Sequence, residues 1–271
     1  MTNTLPQTQN ERRLWLIDAL LAEHEEYAEI DVPGSVDGQR KLLRALFNVR
    51  PPEPASEDFL AVQDTYLQRR TQEKGITRLE ELSPIAEHLY VWRGDITTLA
   101  VDGIVNAANS QMLGCFAPNH GCIDNAIHTF AGVQLRLACA DQMVAQGHEE
   151  RTGQAKITPG FNLPAAHVLH TVGPIVGWQG VTPRDQAALA SCYRSCLELA
   201  QANGLRSIAF CCISTGEFHY PNDQAARIAV DTVETYLQNT DDPMEVVFNV
   251  FKQVDHDIYR DLLEQRQGTR S

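Results

Sequence analysis

The chain has 271 residues, of which 43% are hydrophobic and 21% are charged, and this composition suits one large globular domain or a domain with an appendage. A net charge of −13 argues against a sequence-independent nucleic-acid binder, because such proteins need clustered Lys and Arg. The opening residues MTNTLPQTQNERR do not resemble a secretory signal, and no apolar run is long enough to span a bilayer. Seven cysteines, an odd number, do not suggest a disulfide framework. We therefore expect a cytoplasmic protein that binds neither nucleic acid nor membranes.

The N-terminal part of the chain is predicted to be helical. Apolar residues recur there at helical spacing, at Leu14, Ile17, Leu20 and Leu21, at Leu42, Leu43, Leu46 and Phe47, and at Leu60, Val62 and Tyr66. Pro51 and Pro52 end the second of these helices. Because no group of residues in this region suggests chemistry, we interpret residues 1–87 as a helical extension that packs on the following domain.

From about residue 88 the pattern changes to strands that alternate with helices. The predicted strands are LYVWR, VDGIVN, KITP, HVLHTV, SIAFCC and EVVFNVF, and the predicted helices span residues 123–147, 183–203, 221–238 and 256–266. This alternation indicates a largely parallel sheet between helices. Ligands bind such sheets at the carboxyl ends of the strands, which places the candidate loops at residues 94–95, 106–122 and 213–220.

The second of these loops contains Cys115, His120 and Cys122 within eight residues. Thiolate and imidazole ligands suit Zn²⁺, and three protein ligands leave one tetrahedral position for water or substrate. His128 or His219 is available to complete the set. Two alternatives remain open, namely two small buried cysteines beside a surface histidine, and a Cys–His nucleophile pair. The other cysteines lie in apolar runs or on one helix face and are expected to be core residues.

The other two loops give weaker signals. Residues 213–221 form a Ser/Thr/Gly stretch between a strand and a helix, where free N–H groups and the helix dipole favour an anion. Asp95 either contacts a ligand or caps its own turn. In the loop that contains two asparagines, Asn106 is suited to closing the turn with its side chain, whereas Asn109 has no such evident role and is the candidate for contacting a ligand.

Five segments taken together resemble the macrodomain family, whose members bind ADP-ribose. They are WRGDIT, VDGIVNAANS, IDNAIHTFAG, HVLHTVGP and CISTGEFHYP, in the order that the family has them. The resemblance implies an α/β fold, a three-layer α/β/α macrodomain with a mixed, largely parallel sheet, over residues 88–271. The helical N-terminal extension precedes it.

The resemblance also implies roles for individual residues. Asp95 would accept a hydrogen bond from the adenine amine, with Ile96 beside it, and Asn109 and Asp124 would be the catalytic pair near the distal ribose. Further ligand-binding residues are implied around the helix start and in the second phosphate loop: Gly121, Cys122, Ile123, Ser214, Thr215, Gly216, Glu217 and Phe218. Asp124 either acts as a base or only holds the start of the helix.

Two departures from the family pattern point to a subfamily. The usual run of glycines before Ile123 is replaced by the segment with Cys115, His120 and Cys122, and His219 replaces a glycine. This segment and the helical extension together are similar to the zinc-dependent microbial macrodomains. That resemblance implies zinc at the three residues, a sirtuin-type ADP-ribosyltransferase as functional partner, and a modified protein substrate such as a lipoyl-carrier protein.

The expected activity is hydrolysis of mono-ADP-ribose from modified proteins, with an ester link to Asp or Glu. Two other functions fit the same residues. One is a reader that binds ADP-ribosylated proteins without cleaving them, and the other is a hydrolase of O-acetyl-ADP-ribose. A cysteine hydrolase that uses Cys122 and His120 is a weaker interpretation.

Overall fold

The computed structural model of the protein describes residues 5–270, and it begins with three helices. They are α1 (Gln9–Leu21), α2 (Val36–Val49) and α3 (Glu57–Lys74). Each begins after a Ser or Thr whose hydroxyl accepts a hydrogen bond from the first turn, namely Thr8, Ser35 and Ser56. Their apolar faces form a separate hydrophobic cluster that includes Leu16, Leu43 and Phe59. The predicted helical extension therefore has its own core.

Eight strands follow in chain order. They are β1 (Thr77–Arg78), β2 (Leu89–Arg93), β3 (Leu99–Ala100), β4 (Gly103–Ala108), β5 (Ala155–Pro159), β6 (His167–Val172), β7 (Ser207–Phe210) and β8 (Glu245–Val250). The main sheet has six strands in the order β2-β8-β7-β4-β6-β5, and only β5 runs antiparallel to its neighbour. This is the predicted mixed, largely parallel sheet. The short strands β1 and β3 pair in parallel and join the extension to the domain.

Five further helices pack on the main sheet. They are α4 (Ile123–Ala131), α5 (Val133–Gln146), α6 (Pro183–Ala202), α7 (Asn222–Gln238) and α8 (Gln253–Arg270). Helices α4 and α5 contact each other and the sheet, and α6 to α8 form a second contiguous group. The single helix predicted over residues 123–147 is wrong, because the chain turns at Gly132, where φ is +98°. Among residues 5–270, no helix has the length and apolar character needed to cross a membrane.

Candidate active site

Three loops that leave parallel strands lie at the same edge of the sheet. They follow β2, β4 and β7, because parallel strands place all their carboxyl ends together. We name residues 109–122 the metal loop and residues 213–220 the phosphate loop. The two approach each other at His120 and Glu217, whose Nε2 and Oε1 atoms are 3.7 Å apart. The third loop is attached by Asn249 of β8, whose amide donates to the Gly94 carbonyl at 3.1 Å.

The metal loop brings Cys115, His120 and Cys122 together. One ligand atom from each of the three lies within 4.8 Å of the other two, and all three side chains are half-buried. Cys122 is also the N-cap of α4, since its sulfur accepts a hydrogen bond from the Asn125 N–H at 3.4 Å. Burial and the adjacent Cys115 sulfur raise the pKa of the Cys122 thiol to about 12. The cluster predicted from spacing is therefore present in space.

The chemistry of this donor set fits a zinc ion. Two sulfurs and one imidazole are ligands that Zn²⁺ accepts, and a fourth position remains for water or substrate. His120 Nδ1 is buried and has no hydrogen-bond partner among the described residues. A buried ring nitrogen in that state is costly unless it finds a ligand. Among residues 5–270, no hydrogen bond joins the His120 ring to the Cys115 or Cys122 sulfur, which argues against a Cys–His nucleophile pair.

Neither histidine considered as a fourth ligand joins this cluster. His128 belongs to a second, fully buried group with Cys139 and His170, and His219 belongs to neither group among the described residues. His170 already bonds Thr158 through Nε2, at 2.9 Å from Oγ1. Burial, with His170 nearby, lowers the pKa of His128 well below its ordinary value. The second group is thus a set of neutral side chains inside the domain.

Asp124 lies in the first turn of α4 and is buried. Its Oδ1 accepts a hydrogen bond from Asn106 Nδ2 at 2.7 Å and lies 3.5 Å from His128 Nε2. Burial raises the pKa of this carboxyl to about 6, against the lowering effects of the Asn106 hydrogen bond and the Arg136 charge. Cys122, and not Asp124, supplies the N-cap hydrogen bond of this helix.

The two asparagines of the second loop have structural roles that differ from those that the sequence suggested. Asn109 closes the turn, since its Oδ1 accepts from the backbone N–H groups of Gln111 and Met112 at 3.1 Å and its amide donates to the Gly114 carbonyl. Asn106 is buried at the end of β4 and bonds Asp124 instead. The expectation that Asn109 has no backbone role was therefore wrong, because a side chain just beyond a strand end is free to fold back on its own loop.

The phosphate loop presents unpaired donors. The backbone N–H groups of Ser214, Gly216, Glu217 and Phe218 bond no acceptor in the described part of the chain. Ser214 has a φ of +66°, which is a strained conformation for a non-glycine residue, and its buried hydroxyl also lacks a partner among residues 5–270. Such a set of N–H groups at the end of a strand binds an anion.

Asp95 is engaged on both of its oxygens. Oδ1 accepts from the Thr97 N–H at 3.0 Å and so caps a short helical turn, and Oδ2 lies 2.8 Å from Lys74 Nζ of α3. Burial alone would raise the pKa of Asp95, but the hydrogen bonds from Lys74 and Thr97 outweigh it and lower that pKa. The neighbouring Ile96 is buried. Asp95 therefore caps its own turn with one oxygen, and Lys74 engages the other.

Arg136 of α5 supports the metal loop and was missed from the sequence. Its buried guanidinium donates to the carbonyls of Leu113, Phe47 and Arg50, and it stacks 4.2 Å from the centroid of Phe116. These partners come from two distant segments, the end of α2 and the metal loop, and a lone Arg in a helix gives no sequence signal for such contacts.

Comparison with known proteins agrees with this architecture. The Macro domain family model matches residues 105–229. A Treponema medium protein named protein-ADP-ribose hydrolase is 56% identical over 260 residues, which cover 94% of this chain and 99% of the relative. The chain belongs to the macrodomain family. A Staphylococcus aureus (strain MSSA476) protein of the same name is 49% identical and covers 93% of this macrodomain chain and 95% of its own length.

A solved macrodomain structure extends the comparison to the fold. The Trypanosoma brucei macrodomain in complex with ADP-ribose is similar with a TM-score of 0.63 and 32% identity, covering 81% of this chain and 94% of that one. The three-layer macrodomain fold preceded by helices, predicted from five short motifs, is thereby confirmed.

Proposed function

We propose that this macrodomain is a zinc-dependent protein-ADP-ribose hydrolase that removes mono-ADP-ribose ester-linked to Asp or Glu side chains. Hydrolase activity is supported by the T. medium and S. aureus relatives, which carry that name. The solved T. brucei complex supports ADP-ribose as the ligand. The single observation that carries the zinc dependence is the Cys115, His120 and Cys122 cluster, because it lies on the loop that joins Asn109 to Asp124.

The diphosphate is held by the phosphate loop. Its unpaired N–H groups, at Ser214 and from Gly216 to Phe218, donate to phosphate oxygens without any Lys or Arg. At the other end of the site, the adenine amine donates to Asp95, whose Oδ2 it shares with Lys74. Ile96, Gly121 and Ile123 line the ligand path in this proposal.

Asn109 and Asp124 act at the distal ribose in this proposal. The Asn109 amide carries two N–H donors, and one of them already bonds the Gly114 carbonyl, so the second remains for a ribose hydroxyl. Asp124 accepts a proton from the attacking water as the ester link between the ribose and the substrate's carboxyl group breaks. The OH of the water joins one of the two products, and the proton ends on the other. Asn106 keeps the carboxylate oriented through the 2.7 Å hydrogen bond to Oδ1.

The metal site completes this arrangement through its three protein ligands. Cys115, His120 and Cys122 would hold zinc, which as a Lewis acid supplies charge stabilisation at the oxygen that becomes negative. Two thiolate ligands would donate much charge to the ion, which would favour positioning of substrate over strong activation of water. We also propose a sirtuin-type ADP-ribosyltransferase as the functional partner and a lipoyl-carrier protein as the modified substrate. The proposed location is the cytoplasm.

The test is release of ADP-ribose from a protein modified on Asp or Glu. It is measured with the enzyme as purified, after zinc chelation, and after zinc is restored. Loss and recovery of release, with ADP-ribose binding kept throughout, is the expected result. Binding without release in all three samples would instead identify a reader. Faster turnover of O-acetyl-ADP-ribose than of the modified protein would identify a small-molecule hydrolase.

A further inference from the structure

Helix α2 of the extension bonds directly to the metal loop. Arg44 Nη2 donates to the backbone carbonyl of His120 at 2.9 Å, and Arg44 Nε and Nη2 donate to Asn125 Oδ1 at 3.1 and 2.7 Å. One turn further along α2, Asn48 Oδ1 accepts from the Asn119 N–H at 2.9 Å, and its amide donates to Thr129 Oγ1 at 3.0 Å. Residues about 75 positions apart in the chain are thus joined by directional hydrogen bonds.

Asn125 carries these contacts to the other two cluster residues. It is fully buried in α4, and its amide donates to the carbonyls of Cys115 and Ala117 at 3.4 and 3.0 Å. Its backbone N–H donates to the sulfur of Cys122 at 3.4 Å. The Arg44 guanidinium bonds the amide oxygen of Asn125, so it fixes which end of the amide faces the metal loop. Every residue of the cluster therefore lies within one hydrogen bond of Arg44 or Asn125.

We propose that Arg44 and Asn125 are positioning residues for the metal cluster, and that the helical extension serves to hold the metal loop in its ligating conformation. The proposal rests on the zinc site of the proposed function. In this proposal the helical extension helps the protein to retain the metal, in addition to any covering of the apolar surface of the domain.

The role depends on geometry more than on charge. All of the Arg44 acceptors described here are neutral amide or carbonyl oxygens, and they lie in two directions from one planar fork. A lysine keeps the positive charge, but it lacks the rigid planar fork that places Nε and Nη2 together on Asn125 Oδ1, so it holds the Asn125 amide less firmly. Residues that orient metal ligands from outside typically contribute about 10- to 100-fold to metal affinity.

The experiment compares Arg44→Met and Arg44→Lys with a matched control, Arg69→Met. Arg69 is on α3 of the same extension and is exposed, with a 3.5 Å ion pair to Glu73. Zinc content is measured on the full-length protein as purified, and zinc affinity by competition with a chromogenic chelator. Cobalt substitution reports the ligand geometry through the thiolate-to-cobalt absorption band. Thermal melting in excess zinc identifies any variant that is merely unfolded.

We expect Arg44→Met to bind zinc about 10- to 100-fold more weakly than wild type, with an altered cobalt spectrum, and Arg44→Lys to be weakened as well. Arg69→Met should match wild type. If both Arg44 variants melt cooperatively and keep wild-type zinc affinity and cobalt spectrum, the inference is overturned while the zinc-dependent function stands. If wild-type protein itself binds no zinc, the proposed zinc dependence fails first and the inference fails with it.

Discussion

Replacing Gly173 by Ala is expected to weaken ADP-ribose binding about 10- to 100-fold. Gly173 follows β6, and a Cβ built there would lie 2.0 Å from Ser214 Oγ and 2.9 Å from Ile213 Cγ2, where ordinary contacts begin at 3.4 Å. Because Ser214 is buried and Ile213 Cγ2 is also too close, we expect the new Cβ to displace the phosphate loop by about 1 Å. A shift of that size breaks an N–H···O hydrogen bond, and one such bond to a charged group contributes about 1.5–3 kcal/mol.

Isothermal titration calorimetry with ADP-ribose, the expected product, measures this effect without turnover. Ser214→Ala removes the atom that lies 2.0 Å from the new Cβ, so the double variant should recover most of the affinity. Ser214→Ala alone should bind within about threefold of wild type, because the backbone N–H groups are the donors. Wild-type affinity in Gly173→Ala would refute the placement of the diphosphate on this loop. If the double variant binds ADP-ribose as weakly as Gly173→Ala does, the clash with Ser214 Oγ is not the cause of the lost affinity.

Three further outcomes follow from the same structure. Cys122→Ser should lose zinc and at least about 100-fold in ADP-ribose release while still binding ADP-ribose, as measured by metal analysis, product assay and calorimetry. Lys74→Met should raise the pKa of Asp95, followed by carboxyl NMR, because burial then acts without the Lys74 hydrogen bond. Burial lowers the pKa of His170 from 6.5 to about 3. Below about pH 6.5 the unfolded chain therefore binds a proton at His170 that the native state does not bind, and the protein loses stability as the pH decreases. Between about pH 7.5 and about pH 5.5, urea denaturation should show wild type losing about 1 kcal/mol more stability than His170→Gln. An equal loss in both would refute the assignment of that pKa.

The layout of the macrodomain was predictable because its signals are local. Apolar periodicity and turn residues gave every strand of the main sheet, and the Cys115 to Cys122 spacing gave the cluster. The missed break at Gly132 was also local, since a glycine inside a helical pattern is a known weak point. The division of the chain at residues 87 and 88 stays a prediction.

The contacts that shape the site were not predictable in the same way. Arg44, Lys74 and Arg136 meet partners that lie 21 to 89 residues away in the chain, and nothing in their own neighbourhoods marks them. Asn106 lies inside β4, whereas Asn109 follows its last residue. Sequence patterns locate the end of a strand only to within a few residues, so they could not assign the roles of the two asparagines. Function resides in such tertiary contacts, whereas the fold is largely encoded in local patterns.

The salt dependence of ADP-ribose binding tests how an acidic protein holds an anion. Three cations near the site are already bonded within the protein: Lys74 to Asp95, Arg44 to Asn125, and Arg136 to backbone carbonyls. With a net charge of −13, the long-range field repels the diphosphate, and salt screens that repulsion. Affinity measured at about 50 and about 300 mM NaCl should therefore stay constant or rise slightly. A fall of about threefold or more would show that Lys or Arg side chains pair with the phosphates, and it would refute recognition by backbone N–H groups alone.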